Sequence, residues 1–217
     1  TYKQLQEIRL YYDFYDVDID RYEIDGKTTQ VMVSARELNH VQLRDKAKTW
    51  INEHLIFTHG YGLVMSPVNK ITSEGLPEFL IKDIPPVSDD FDIVRPEIYY
   101  GEIDNSFIIV NTNIDEFDYS KGDNNEYTKY SGKGGIQIDS FTKKDLLAIY
   151  FSDINIILNS DITKESRILF TRTIQDRISK VVPFLSMDED PYVVTVDGRI
   201  KWIQDAYTLT DRFPYSD

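Results

Sequence analysis

"YDVDIDRYEIDGKTTQVMVSARE", residues 15–37, decides the fold class. Apolar and polar side chains alternate along it, and Asp25-Gly26 stands between the two halves. That dipeptide suits a two-residue hairpin turn, because both central residues take positive φ. The stretch therefore reads as an antiparallel hairpin. Val17 and Ile19 share one parity and Tyr22 and Ile24 the other, so a bulge is expected between the two pairs. Asp16, Asp18 and Asp20, spaced by two, then form the wet face of the strand. They begin like a Ca²⁺ loop, but Arg21 stands where the sixth position needs Gly and Lys27 where the twelfth needs a carboxylate.

Downstream, "NHVQLRDKAKTWINEHLIF" (39–57) spaces Leu43, Ala47, Trp50, Ile51 and Leu55 helically behind Asn39 and Gln42, which predicts a helix over residues 40–56. "THGYG" (58–62) follows as a glycine corner. "VNKIT" and "LPEFLIKDI" read as short extended pieces, and "EIYYGEIDNSFIIVNT" (97–112) as a second hairpin with "FIIV" as its inner strand. Residues 111–135 read as a long surface loop. "KKDLLAIYF" (143–151) is a short helix. "DITKESRILFTRTIQDRISKVVPFL" (161–185) carries Phe170, Ile174, Ile178, Val181 and Leu185 on one stripe, the strongest helical pattern in the chain. "YVVTVDGRIKWIQDAYT" (192–208) is a third hairpin, again with Asp-Gly at its turn. Three antiparallel hairpins and about three helices in runs imply a single α+β domain over residues 1–217.

Composition narrows the function. The 217 residues carry a formal net charge of −13, so the average field repels nucleic acid, and none is expected as a partner. There is no Cys, which removes disulfides, thiol nucleophiles and zinc ribbons. The longest apolar runs, such as "FIIV", fall far short of the roughly 20 residues of a membrane helix. The chain opens at Thr1 and reads as a part excised from something longer.

Four groups of residues could carry chemistry. His59, just ahead of Gly60 and Gly62 past a helix end, either caps that end or lines a site, and pairs with Glu102 or Asp205 would then make it catalytic. "SGKGGI" (131–136) has the composition of a phosphate loop without its spacing, and its glycines are explained by a tight connection. Asp118 with Asp123, and Asp188 with Asp190, lie in acidic loops able to wrap a hard cation, so Ca²⁺ is the one cofactor to consider. Tyr61, Tyr99, Tyr100 and Trp202 could stack on sugar rings.

Taken in order along the whole chain, the hairpin stretch, "THGYGLVMSPVN", "RPEIYYGE", "PFLSMDEDPY" and "DGRIKWIQDAYT" resemble an uncharacterised bacterial multi-pass membrane-protein family of the UPF series. The resemblance implies a parent protein with about seven predicted N-terminal membrane spans and a large extracytoplasmic region containing this chain. It implies a cell-membrane location, with the protein's own membrane-spanning region and other envelope proteins or glycans as partners. It assigns no catalytic residue. The resulting expectation is ligand or partner binding at the cell envelope. The alternatives are an envelope hydrolase or transferase with a site near His59, and a calcium-stabilised structural module.

Overall fold

The computed structural model describes residues 2–122 and 124–210. In chain order, α1 (Tyr2–Gln6) and β1 (Tyr12–Asp13) precede β2 (Asp18–Ile24), β3 (Lys27–Ala35) and β4 (Glu37–Leu38). Next come β5 (Gly60–Tyr61), β6 (Leu63–Pro67), β7 (Glu97–Ile98), β8 (Ile108–Val110), β9 (Glu116–Lys121), β10 (Asn124–Thr128) and β11 (Ile136–Gln137). The chain continues through α2 (Phe141–Phe151), α3 (Asn155–Leu158), β12 (Arg167–Leu169), α4 (Ile174–Val181), β13 (Leu185–Met187), β14 (Tyr192–Val196), β15 (Arg199–Ile203) and β16 (Ala206–Thr208). Every strand pair is antiparallel, in sheets of two or three strands, so the α+β class expected from the hairpins holds. No helix among the described residues is long and apolar enough to cross a membrane.

Two three-stranded sheets organise the interior. In the first, β3 lies between β2 and β6, and the β14–β15 hairpin packs over it, so that Val31, Val33, Leu63, Met65 and Val193 share one core. In the second, β12 lies between β11 and β8 and is buried on both faces. Ile109 and Ile168 point toward Leu147 of α2, Ile156 of α3 and Leu55. Ile108, Val110 and Leu169 point the other way, onto Tyr99, Tyr100 and Tyr130. A continuous apolar run such as "FIIV" is what a strand covered on both faces requires.

The first hairpin forms without the expected bulge. Its register runs unbroken from Asp18 opposite Val33 to Ile24 opposite Lys27. Parity alone then sends Asp18, Tyr22 and Ile24 inward and Val17 and Ile19 outward, with Ile19 63% exposed. The aspartates are therefore not a wet face. Asp18 is buried and accepts from Val193 N (3.0 Å), and Tyr22 Oη accepts from Thr195 N (3.0 Å). These side chains satisfy backbone donors of β14 that no strand pairs on that side.

Elsewhere tertiary bonds override local propensity. The helix expected over residues 40–56 is two 3₁₀ turns, His40–Gln42 and Asp45–Ala47, followed by a π-turn at Asn52–Ile56. Asn39 does cap the first turn through Val41 N (3.1 Å), but Gln42 donates to Asp13 (2.7 Å) and His40 is drawn to Asp104 (2.5 Å) and Phe57 O (2.7 Å). Leu43 leaves the helical region at ψ 142. The long helix expected over residues 161–185 is confined to α4. Arg167–Leu169 instead pairs as β12 with β8, Thr171 takes φ 53, and Phe170 packs against the α2 core. The second hairpin does not close on itself, since β7 pairs with β5 and β8 with β12. The expected loop 111–135 contains the β9–β10 hairpin. The last hairpin stands, and α2 is capped by Ser140, whose Oγ accepts from Lys143 N (3.4 Å).

The inverted parity of β2 has a direct test in urea denaturation. Ile168→Ala, inside the doubly covered sheet, should cost about 2–5 kcal/mol. Ile19→Thr should stay within about 0.5 kcal/mol, and comparable losses at both positions would contradict the register described.

Candidate functional site

A polar centre in the interior fixes the segment that carries Tyr99 and Tyr100. Arg172 is buried, and its guanidinium donates to Tyr99 O (2.8 Å), Thr58 O (3.0 Å), Ser106 O (3.3 Å) and Asp104 Oδ2 (3.5 Å). Glu37 accepts from Glu102 N (2.8 Å) and Ile103 N (3.1 Å). Glu116 accepts from Thr58 Oγ1 (2.7 Å), Tyr99 Oη (2.9 Å) and Tyr130 N (3.0 Å). Burial raises both carboxyls, while these donors act in the opposite direction.

His59 belongs to this interior. It is 2% exposed, its ring lies 4.9 Å from that of Tyr99, and Nδ1–H donates to Gly60 O (3.0 Å). Burial lowers its pKa to about 4, so the imidazole is neutral. The corner is built on Gly60, where a Cβ would overlap Arg36 O as β5 crosses the start of β4. Glu102 and Asp205, paired with His59 in the sequence reading, lie elsewhere. Glu102 joins a carboxylate group described below, and Asp205 O accepts from Asp188 N (2.9 Å) between β15 and β16.

Beside this centre opens a cleft of about 530 Å³. Tyr99 and Tyr130 form its wall, and Arg95, Lys129, Lys133 and Arg199 line it against a single carboxylate, Glu97. Arg95 and Arg199 meet through a short parallel bridge between residues far apart in the chain. Arg95 donates to Ser131 Oγ, and Lys129 reaches Thr112 O (2.9 Å) and Asp115 (3.1 Å). The side chains of Lys133 and Arg199 make no hydrogen bond or ion pair with any described residue.

The third side of the cleft is the loop at residues 131–135, and it is held rigidly. Arg167 donates to the carbonyls of Gly134 (2.7 Å), Gly135 (2.9 Å) and Lys133 (3.0 Å). Gly134 N donates to Tyr130 Oη (3.0 Å), and a Cβ at Gly134 would sit 2.7 Å from Tyr100 Oη. Side chains are excluded there because the loop lies directly on the tyrosines.

The remaining sequence-named residues are dispersed. Tyr61 is buried beside Tyr119 at 5.3 Å, and Trp202 is half-buried with Nε1 donating to Tyr100 O (2.9 Å). Asp118 lies on β9, where burial followed by repulsion from Glu97 raises its carboxyl to about 7. Asp188 accepts from Asp190 N (3.2 Å) and Tyr207 Oη (3.3 Å). Asp123 falls outside the described residues. Asp190 instead meets Asp16 and Glu102, with carboxylate oxygens within 4.8 Å of one another, the one such trio among the described residues. Burial raises both, followed by repulsion from Asp18 at Asp16, which reaches about 7, and from Asp16 at Glu102, which reaches about 9. Sequence reading found Tyr99 and the glycine loop but missed Arg95, Lys129, Lys133 and Arg199. The basic spacing within "KYSGKGG" was the one local signal for the two lysines.

Residues 1–217 match the model of a family described as Uncharacterised protein family (UPF0182). The chain is 55% identical to a UPF0182 protein of Desulforamulus reducens, 50% to one of Pelotomaculum thermopropionicum and 50% to one of Trichodesmium erythraeum. In each case all of this chain is covered, and it spans 24% of the relative. No solved structure matches the chain.

The raised carboxyls set a pH dependence. Each binds its proton more tightly folded than unfolded, so the stability it contributes is full below the ordinary carboxylate range and is lost as pH rises through about 7 for Asp16 and about 9 for Glu102. His59, shifted downward, has the opposite sign, but its effect is confined below its ordinary value of 6.5. Between pH 6.5 and 9 the melting temperature should therefore fall, and Glu102→Gln should flatten the alkaline end of that fall. Thermal melts across this window check it, and a flat wild-type profile would contradict the burial of these groups.

Proposed function

The chain belongs to the family described as Uncharacterised protein family (UPF0182), and from this premise we propose that it is the ligand-binding part of a larger envelope protein, holding an anionic ligand in the tyrosine-walled cleft. The observation that carries the reading is the pair Lys133 and Arg199, two cations that no described residue pairs with, in a cleft lined by four cations and the single carboxylate Glu97, in a chain of net charge −13. Like charges brought together cost free energy unless a counter-charge is supplied. The net charge of −13 disfavours an anion over the surface at large, so a cationic cleft is where one would settle. Arginine forks favour carboxylate or phosphate geometry, and the rings of Tyr99 and Tyr130 offer faces to a sugar.

Binding is favoured over catalysis because no histidine lines the cleft and its one hydroxyl on an aliphatic side chain, Ser131 Oγ, is engaged by Arg95. A volume of about 530 Å³ suits a small-molecule or single-residue saccharide ligand. An extracytoplasmic setting, as the family resemblance implies, would present such ligands as acidic or phosphorylated envelope sugars.

Calorimetric titration of the domain with galacturonate, glucose 1-phosphate and neutral glucose tests the reading. The two anions should bind, glucose should not, and Arg199→Ala or Lys133→Ala should each weaken binding about tenfold. Equal binding of glucose, or anion binding indifferent to both substitutions, would overturn it.

A further inference from the structure

The loop at residues 131–135 is the wall of a second cleft as well. On its far side a cavity of about 330 Å³ is lined by Tyr100, Gly135, Phe170, Arg177 and Lys180, with no carboxylate among its lining residues. The two clefts are related by construction. Tyr99 faces one and its chain neighbour Tyr100 the other, while Ser131, Gly132 and Lys133 face the first and Gly135 the second. Beneath both lies the same apolar cluster of Ile108, Val110 and Leu169.

The second cleft is furnished like the first. The Arg177 guanidinium lies over the Tyr100 ring at 4.3 Å, and no described residue forms an ion pair with it. Lys180 Nζ donates to Thr171 Oγ1 (2.8 Å), a neutral partner, and no described carboxylate pairs with it. Between the clefts the ridge is low and stiff, since it is mostly glycine and its carbonyls are tied to Arg167. Five residues span at most about 17 Å.

We infer that the ligand is an anionic glycan chain that crosses the 131–135 ridge and occupies both clefts, with Arg95, Arg199 and Lys133 holding one stretch and Arg177 and Lys180 the next. The inference rests on the reading of the first cleft as an anion site. A single small anion fills one cleft and leaves the other cations unanswered, whereas a chain bearing a charge on each unit answers both. The net charge of −13 disfavours other paths for an anionic chain. Joining two weak subsites through one ligand makes the second contact intramolecular, so affinity rises with chain length once both clefts are spanned.

The test is a titration series with galacturonic acid, its dimer and its hexamer, with inorganic phosphate, long-chain polyphosphate and a single-stranded oligothymidylate as further probes. The variant is Arg177→Gln with Lys180→Gln, first shown to melt with the wild type. The hexamer should bind at least tenfold tighter than the monomer, and the double variant should lose that gain while binding the monomer as the wild type does. Monomer binding with no gain for the hexamer, or a gain that survives the double variant, would overturn the two-cleft inference and leave the first-cleft reading intact. Polyphosphate or oligothymidylate binding tighter than the hexamer would overturn the assignment to a glycan. No binding by any anion would remove the first-cleft reading itself.

Discussion

The guanidinium of Arg172 is the constraint on which both clefts depend. A buried cation is costly to desolvate, and it is tolerated here because backbone carbonyls from three separate segments and the Asp104 carboxylate converge on it. Those segments are the corner before β5, the stretch after β7 and the approach to β8. Fixing Tyr99 O at 2.8 Å from Arg172 fixes the chain direction at Tyr99 and Tyr100, and so decides which ring faces which side of the glycine loop. The nearby Glu37 and Glu116 bonds hold the same segment at Glu102 N and at Tyr99 Oη. Apolar packing against β8 and β12 supplies the bulk of the cohesion, and the polar centre supplies its orientation.

Charge is segregated by the same architecture. A chain with 37 acidic and 24 basic residues could scatter its cations evenly as local partners for carboxylates. Some do pair locally, as Lys3 with Asp13 and Lys143 with Asp139, but Arg95, Lys133, Arg199, Arg177 and Lys180 gather around one loop, while Asp16, Glu102 and Asp190 gather on another part of the surface. Each gathering is electrostatically unfavourable alone. The acidic group relieves its repulsion by holding protons, as its raised carboxyls show. Arginine and lysine have no such outlet near neutral pH, which leaves a bound anion as the compensation open to them.

Much of the local fold was legible in the sequence. Asp25-Gly26 and Asp197-Gly198 turn as read because positive φ at both residues suits that dipeptide in particular. "FIIV" became a strand covered on both faces, as an uninterrupted apolar run demands. What failed did so where distant partners decide. Arg167–Leu169 fits a helical stripe and a strand equally well, and only the presence of β8 selects the strand. His40 has a helical context, yet Asp104 and Phe57 O compete for it. The parity of β2 could not be read because the acceptor roles of Asp18 and Tyr22 exist only once β14 is alongside. For the site, Tyr99, Tyr100 and the glycine loop were visible as aromatic and turn chemistry. Arg95 and Arg199 were not, since isolated arginines in an acidic chain carry no sign of each other until the chain folds.

By the two-cleft inference, a glycine loop on a tyrosine floor divides a cationic surface that holds an anionic chain. Amide chemical-shift mapping of the ¹⁵N-labelled domain titrated with hexagalacturonate tests it most directly. The account predicts shifts confined to residues 95–101, 129–136, 170–181 and 199–200, with the β2–β3 hairpin and α2 unmoved. Shifts centred on Asp16, Glu102 and Asp190, or on the outer side of α2, or none at saturating ligand, would contradict it.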